Sequence, residues 1–269
     1  MFTLENEYKT RHFAWLFSLM NLFLFHLPFF NFVIHNVDYW KFNGIVIIIS
    51  LLILMLTVNF FVFNILLSIS RRVGKFLLIL FFMLNAVALY FVNTYSIIVD
   101  ESMMGNLFNT NYEESSSFFS VKLIVYLFLL GVLPSILIYK IKLTRSTRKS
   151  FLISSSLSFA FIIVMVFANS KNWLWIDKNS KTLGGLAMPW SYSVNTSLLY
   201  VHESQKNRKE ILLPNAEMKD SSKSIVVLVI GESARRKNFS LYGYNKNTNP
   251  LLSQTKNLYH FNATSLATY

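Results

Sequence analysis

The sequence predicts an α-helical five-span transmembrane domain followed by the start of an α/β domain. Three observations predict it. Five long apolar segments fill the N-terminal part of the chain. Basic residues gather in alternate loops between them. Near the other end an aliphatic run, Ile225–Ile230, stops at Gly231 and Glu232.

Charged residues make up only 14% of the chain, well below the roughly 25% of an average soluble domain. The net charge of +12 would suit nucleic acid if it were spread over one face. Here the basic residues lie in short runs between apolar blocks, which is the pattern of membrane topology, so no nucleic-acid partner is expected. With no cysteine in the chain, thiol chemistry and disulfides are excluded from it.

The segments are Phe13–Ile34, Gly44–Ile69, Phe76–Tyr95, Val121–Tyr139 and Phe151–Ala168. Each meets or approaches the roughly 20 residues that cross a bilayer as a helix. Lys122 is the one charged residue among them, at an edge where it can snorkel. Any one segment could be a buried helix of a soluble protein; five in succession could not.

Ser70–Lys75 carries Arg71, Arg72 and Lys75, and Lys140–Lys149 carries Lys140, Lys142, Arg145, Arg148 and Lys149. The alternate loop Ser96–Ser120 holds Asp100, Glu101, Glu113 and Glu114 and only acidic charge. The positive-inside rule places the basic loops and the N-terminus in the cytoplasm and everything after Ala168 on the outer side. Trp40, Trp173 and Trp175 fall where an interfacial aromatic belt is expected. Within the spans, Asn21, His26, Asn59, Asn64 and Asn85 are expected to hydrogen-bond between helices. Pro28 and Pro134 are expected to kink or end helices.

Asn106, Thr110 and Glu114 are spaced four apart, so one continuous helix would present them on a single face. Such a face beside the bilayer suits a phospholipid headgroup, with Glu114 drawing an amine. It is equally the pattern of a solvated loop helix. Beyond the spans, residues 170–223 read as a connector. From Pro189 to Glu203 it is either an interfacial helix or an extended linker.

Ile225–Ile230 is rich in β-branched residues and bounded by Ser224 and Gly231, the pattern of a strand buried on both faces. Chemistry in α/β folds gathers at the carboxyl ends of such strands. Glu232 is there, as a candidate metal ligand or a helix-capping carboxylate. Asn238–Tyr244 and Thr248–Pro250 read as turns. Thr264, Ser265 and Thr268 are hydroxyl candidates for a nucleophile, without an accompanying base.

Taken together, five spans, NLFNTNYEE at Asn106–Glu114, VVLVIGESARRKNFSLYGY at Val226–Tyr244, NTNP at Asn247–Pro250 and FNATSLATY at Phe261–Tyr269 carry a resemblance. The chain resembles the lipid A phosphoethanolamine transferases, membrane enzymes with an alkaline-phosphatase/sulfatase-like catalytic domain. The resemblance implies a transmembrane domain over 1–169, a periplasmic connector over 170–223 and a partial catalytic domain over 224–269. It implies a bacterial inner-membrane location and a monomer. Glu232 would be a zinc (Zn2+) ligand, and Asn106, Thr110 and Glu114 would handle the substrate headgroup.

In that family the nucleophile is a threonine in a segment reading roughly S-C-G-T-x-T. Against Ser265–Tyr269 it falls at the position after Tyr269, and Leu266 takes the place of the cysteine. The chain is therefore expected to be incomplete and inactive by itself. The implied reaction passes phosphoethanolamine from phosphatidylethanolamine to lipid A or lipooligosaccharide through a covalent threonine intermediate. A related transferase with another acceptor or donor group, and an inert membrane fragment, are the rival expectations.

Overall fold

The computed structural model describes residues 7–206 and 235–259. The chain divides into two compact units, Met1–Arg208 and Lys209–Tyr269. Ile225–Ile230, Glu232, His260, Thr264, Ser265 and Thr268 lie outside the described residues, so the expected strand and its carboxylate have no structural description.

The first unit is a helical bundle. Helices α1 (Thr10–Phe25) and α2 (Leu27–Asn36) replace the single span expected over Phe13–Ile34, with a 62° bend between them. Pro28, in the first turn of α2, explains the break. It has no N–H to continue the ladder, and its ring would strike the carbonyl four residues back. α3 (Phe42–Ile69) and α4 (Arg71–Tyr95) are each long and apolar enough to cross a bilayer. Ser70 separates them, and its hydroxyl caps α4 by accepting from the Val73 amide at 3.4 Å.

The next span is composite. α7 (Val121–Tyr126), a π-helical turn over Leu127–Val132 and α8 (Leu133–Lys140) run on as one crossing, Val121–Lys140. The wide turn lies just before Pro134, where an ordinary helix would lose a hydrogen bond and meet the proline ring. α9 (Arg148–Ala168) completes the set. Four helices thus qualify as spans by length and composition, and the bent α1–α2 pair makes the fifth.

Burial ranks them. In the most apolar stretch of α4, 44% is buried inside the unit, against 6% for α9. α4 is central, whereas α9 packs on α3 and turns most of its surface outward. The core is rich in phenylalanine: Phe13, Phe17, Phe25, Phe29, Phe60, Phe63 and Phe82 are buried. Phe82 of α4 meets Phe17 and Phe25 of α1 edge-on at 5.9 and 5.4 Å between ring centres, a geometry favoured by the ring quadrupole.

The basic loops are more ordered than the sequence implied. Arg71, Arg72 and Lys75 form the opening turns of α4, not a loop. Cations there oppose the helix dipole. Two of them serve the end of α8 instead: Lys75 Nζ donates to the Tyr139 carbonyl at 3.0 Å and Arg71 Nη1 to the Leu143 carbonyl at 2.6 Å. These carbonyls lie at and just beyond the end of that helix. A short parallel pair, β1 (Tyr8–Lys9) with β2 (Leu143–Thr144), ties the N-terminal segment to the same loop.

Residues 96–120 and 170–206 are also helical. They form α5 (Glu101–Asn109), α6 (Tyr112–Ser117), α10 (Trp173–Lys178), α11 (Ser180–Leu186) and α12 (Trp190–Lys206). Of the two readings of the segment after Pro189, the helix is the one found. α12 packs against α5 and α11, so the connector up to Lys206 belongs to the first unit.

In the second unit the described residues are two 3-10 turns, Arg236–Asn238 and Ser240–Tyr242, and a short helix α13 (Pro250–Ser253). The expected turn over Asn238–Tyr244 is found, whereas the chain bends at Thr248 and leads through Asn249 into α13 at Pro250. Gly243 has φ 92°, a left-handed conformation that glycine adopts without steric cost.

Candidate functional site

The site is a platform of short helices at the end of the bundle opposite the basic loops. Its foundation lies inside the spans. Asn21 Nδ2 donates to the Met188 carbonyl at 3.0 Å, and Asn85 Nδ2 donates to Asn21 Oδ1 at 2.7 Å. Tyr192 donates its hydroxyl to Asn85 Oδ1 at 3.0 Å. Trp190 Nε1 donates to Asn59 Oδ1 at 2.9 Å. Helix-to-helix bonding was expected of these asparagines. It is found for Asn85 with Asn21, and for Asn64, which donates to Ser154 and Ser155 of α9 at 3.3 Å each. Asn21 and Asn59 also hold the segment that starts α12. Burial pushes the Tyr192 phenol well above its ordinary pKa, so it remains a donor. His26 Nδ1 donates to the Asn21 carbonyl at 3.1 Å.

α12 and α11 then position α5. The Val99 amide donates to the Gly185 carbonyl at 3.1 Å, and Asn195 Nδ2 donates to the Val99 carbonyl at 2.9 Å. A Cβ at Gly185 would stand 3.0 Å from Ile98 Cβ and 3.4 Å from the Val99 amide nitrogen. Glycine therefore permits the close approach of α11 to this segment. Asp100 caps α5 by accepting from the Met103 amide at 2.9 Å, and it pairs with Lys181 at 3.0 Å. Glu101 at the first turn of α5 meets His202 of α12 at 2.7 Å.

The expected face of Asn106, Thr110 and Glu114 is only partly assembled. α5 ends at Asn109, and Thr110 is extended, with φ −67° and ψ 130°. Thr110 Oγ1 donates to the Asn106 carbonyl at 2.7 Å, so these two share the last turn of α5. Glu114 lies on the separate helix α6. One continuous helix across all three does not form. The Thr110 hydroxyl, bonded to the backbone one turn back, helps end α5.

Two recesses flank α11. One, of about 330 Å3, is lined by Lys181, Gly184, Trp190, Val194 and Asn195. The other, of about 510 Å3, is lined by Asn31, His35, Asn93, Ser96, Thr182 and Leu186. Both mix apolar walls with amides and hydroxyls, and Lys181 adds a cation to the smaller one, a surface that suits an amphiphile. Among the described residues no three His, Cys, Asp or Glu side chains cluster closely enough to hold a metal ion. The described residues therefore do not form a zinc centre.

Sequence reasoning missed Lys181, Asn195, Trp190 and Tyr192. A signal existed for the aromatics. Trp190 and Tyr192 have polar tips that seek partners when buried, and unpaired asparagines inside the spans had partners to offer.

This architecture is that of a polytopic helical membrane protein whose outer helices are bolted to asparagines in its core. The family model described as Phosphoethanolamine transferase EptA/EptB matches residues 55–204, from α3 through nearly all of α12. The chain belongs to that family. It is 42% identical over 261 residues to a phosphoethanolamine transferase EptA of Helicobacter pylori, covering 94% of this chain and 48% of that protein. It is 29% identical over 217 residues to the phosphatidylethanolamine transferase Mcr-1 of Escherichia coli, covering 76% of this chain and 40% of that one. The solved lipooligosaccharide phosphoethanolamine transferase A of Neisseria meningitidis has the same fold, with a TM-score of 0.72 at 22% identity over 92% of this chain and 47% of its own. The chain thus spans about half the length of the relatives it matches.

Proposed function

We propose that this chain is the membrane portion of an enzyme that moves phosphoethanolamine from phosphatidylethanolamine to lipid A or lipooligosaccharide. The observation that carries the reading is the family match over residues 55–204, which takes in the spans, α5 and most of α12. The platform fits the task. It offers Asn106, exposed near the end of α5, and the half-buried Thr110 just after it, while mixed polar and apolar recesses flank α11 on the same platform. A lipid headgroup needs polar contacts at the level where its acyl chains enter an apolar phase, and the platform supplies both.

In this reading the helical unit lies in a bacterial inner membrane with its basic end in the cytoplasm, following the positive-inside rule. Its platform then faces the periplasm. Asn106 and Thr110 orient the donor headgroup, and Glu114 attracts its amine. A covalent threonine intermediate lets two bulky lipids use one site in turn. Glu232 is assigned as a zinc ligand on the family pattern alone, one of the three or four such a site requires. Adding an ethanolamine amine to a lipid A phosphate reduces surface negative charge, and resistance to cationic antimicrobial peptides would follow.

The test is transfer of label from phosphatidylethanolamine to lipid A by the intact polypeptide that contains this chain. Labelled lipid A is expected, with a clear loss in Asn106→Ala and Thr110→Ala. Absence of labelled product from folded protein would overturn the reading. Label from a glycerophosphate donor instead would select the related transferase.

A further inference from the structure

The end of the bundle away from the platform carries a pocket that the transferase reading does not use. It lies where the start of α1, the end of α3 and the start of α9 meet. Thr10, Ser68, Arg145, Ser146 and Arg148 line it, and its volume is about 230 Å3. We propose that this pocket binds the phosphodiester headgroup of an anionic glycerophospholipid from the adjoining leaflet. The proposal does not depend on the transferase reading.

Charge is the first argument. Lys9, Arg11, Arg71, Arg72, Lys75, Lys140, Lys142, Arg145, Arg148 and Lys149 all lie at this end, where Glu7 is the sole carboxylate among the described residues. The lysine–aspartate pairs found among the described residues, Lys41–Asp38 and Lys181–Asp100, are both at the other end, as is the His202–Glu101 hydrogen bond. Arg11 and Arg71 spend guanidinium donors on neutral partners, the Ser150 hydroxyl at 3.3 Å and the Leu143 carbonyl at 2.6 Å. Neither neutralises the charge. Arg145 and Arg148 are exposed at the pocket and have no acidic partner among the described residues. Arginine presents a planar fork of donors matched to phosphate oxygens.

Hydrogen bonding is the second. Ser68 Oγ is buried and has no partner, although it lines the pocket. The hydroxyl oxygen is closed to solvent as it stands, and a turn about χ1 would bring it to a headgroup oxygen. The opposite wall is already fixed, since Thr10 Oγ1 and Ser146 Oγ are bonded to each other at 2.9 Å and the Ser146 amide donates to Thr10 Oγ1 at 3.4 Å. The pocket is thus a formed recess with two exposed cations and an unpartnered hydroxyl behind its wall.

Size and surroundings select a lipid over a free anion. The volume is below the roughly 300–1,000 Å3 of sites that enclose whole drug-sized ligands. It suits a headgroup whose chains lie outside. Apolar surface begins at the rim: Ile69 lines the pocket at 71% exposed, and Leu152, four residues beyond Arg148, is 61% exposed. Acyl chains can run down the outward faces of α3 and α9 from there. Basic pockets between helices at a cytoplasmic leaflet are a recurrent form of anionic-lipid site.

The experiment is native mass spectrometry of the intact protein in detergent with added phosphatidylglycerol or phosphatidylcholine of matched acyl chains. Wild type is expected to retain phosphatidylglycerol preferentially. Arg145→Gln with Arg148→Gln should reduce that retention roughly tenfold or more, as loss of two headgroup contacts implies. Lys140→Gln with Lys149→Gln, removing the same charge away from the pocket, should leave it nearly unchanged. Ser68→Leu, which fills the recess and keeps every charge, should also reduce it, with folding checked by circular dichroism. Inorganic phosphate should not displace the lipid. Equal retention of phosphatidylcholine by wild type, equal losses in the two double variants, full retention by Ser68→Leu, or displacement by inorganic phosphate would each overturn the proposal.

Discussion

Tyr192 and Asn85 are joined by a 3.0 Å hydrogen bond that fastens α12 to the central helix α4. Asn85 passes the connection to Asn21, and Asn21 returns it to the Met188 carbonyl just before α12. Both asparagines give and take in this loop of bonds, within an apolar core where an unmet polar group is costly. The platform that carries Asn106 is therefore held from inside the bundle.

The first prediction concerns this bond. Tyr192→Phe and Asn85→Leu should each lower stability in detergent, and the double variant should lose less than their sum. Coupling of about 0.6–1.7 kcal/mol is expected, as for other hydrogen bonds inside membrane proteins. Strict additivity in a denaturant titration would contradict the connection. The pH response has a definite sign. The folded-state phenol pKa of Tyr192 is raised by burial, so the folded protein holds this proton above pH 10 while the unfolded chain releases it. Its contribution is fully present below about pH 10 and falls by about 1.4 kcal/mol per pH unit above that. Wild type should lose this increment on alkalinisation, and Tyr192→Phe should not.

Much of the membrane half was legible because lipid imposes length and polarity on a span directly. α3, α4 and α9 fall close to the expected segments, and Pro28 marked the break between α1 and α2. The platform was less legible for a physical reason. Segments 96–120 and 170–206 take their order from tertiary contacts, such as Asn195 to the Val99 carbonyl and Trp190 to Asn59, between residues far apart in sequence. Spacing alone put Asn106, Thr110 and Glu114 on one helix. It could not foresee that Thr110 would turn its hydroxyl back to the Asn106 carbonyl and help end that helix.

Gly184 and Gly185 should respond oppositely to added side chains. A Cβ at Gly184 meets nothing within 4 Å, whereas one at Gly185 presses on Ile98 and Val99. Gly184→Ala in α11 should stabilise by about 0.4–1 kcal/mol through the unfolded chain. Gly185→Val should cost about 1–3 kcal/mol as an overpacked contact and loosen the start of α5. Thermal unfolding of the two variants side by side tests this, and a matching sign for both would refute the contact.

Asp100 has two roles that substitution can separate. It caps α5 and pairs with Lys181, whose side chain is 70% exposed. An exposed ion pair contributes little, while an N-cap is worth roughly 0.5–2 kcal/mol. Asp100→Ala should therefore destabilise by about 1 kcal/mol. Asp100→Asn, which keeps the capping oxygen, should cost much less, and Lys181→Met should have a small effect. If Asp100→Asn proved as damaging as Asp100→Ala, the ion pair would be the stronger contact.

In the second unit, Asn249 accepts from the Ser240 hydroxyl at 2.7 Å and from the Leu241 amide at 3.2 Å. Thr248 accepts from the Ser240 amide at 3.0 Å and donates to the Asn238 carbonyl at 2.6 Å. These two side chains bring two turns eight to ten residues apart into register. Because Asn249 supplies both of its contacts through a single oxygen, Asn249→Ala leaves two donors to seek other partners. Net losses near 1 kcal/mol per hydrogen bond imply roughly tenfold faster hydrogen exchange at the Leu241 amide. Thr248→Val should speed exchange at Ser240 more than at Leu241. Unchanged exchange at both amides in both variants would show that the turns are held by other contacts.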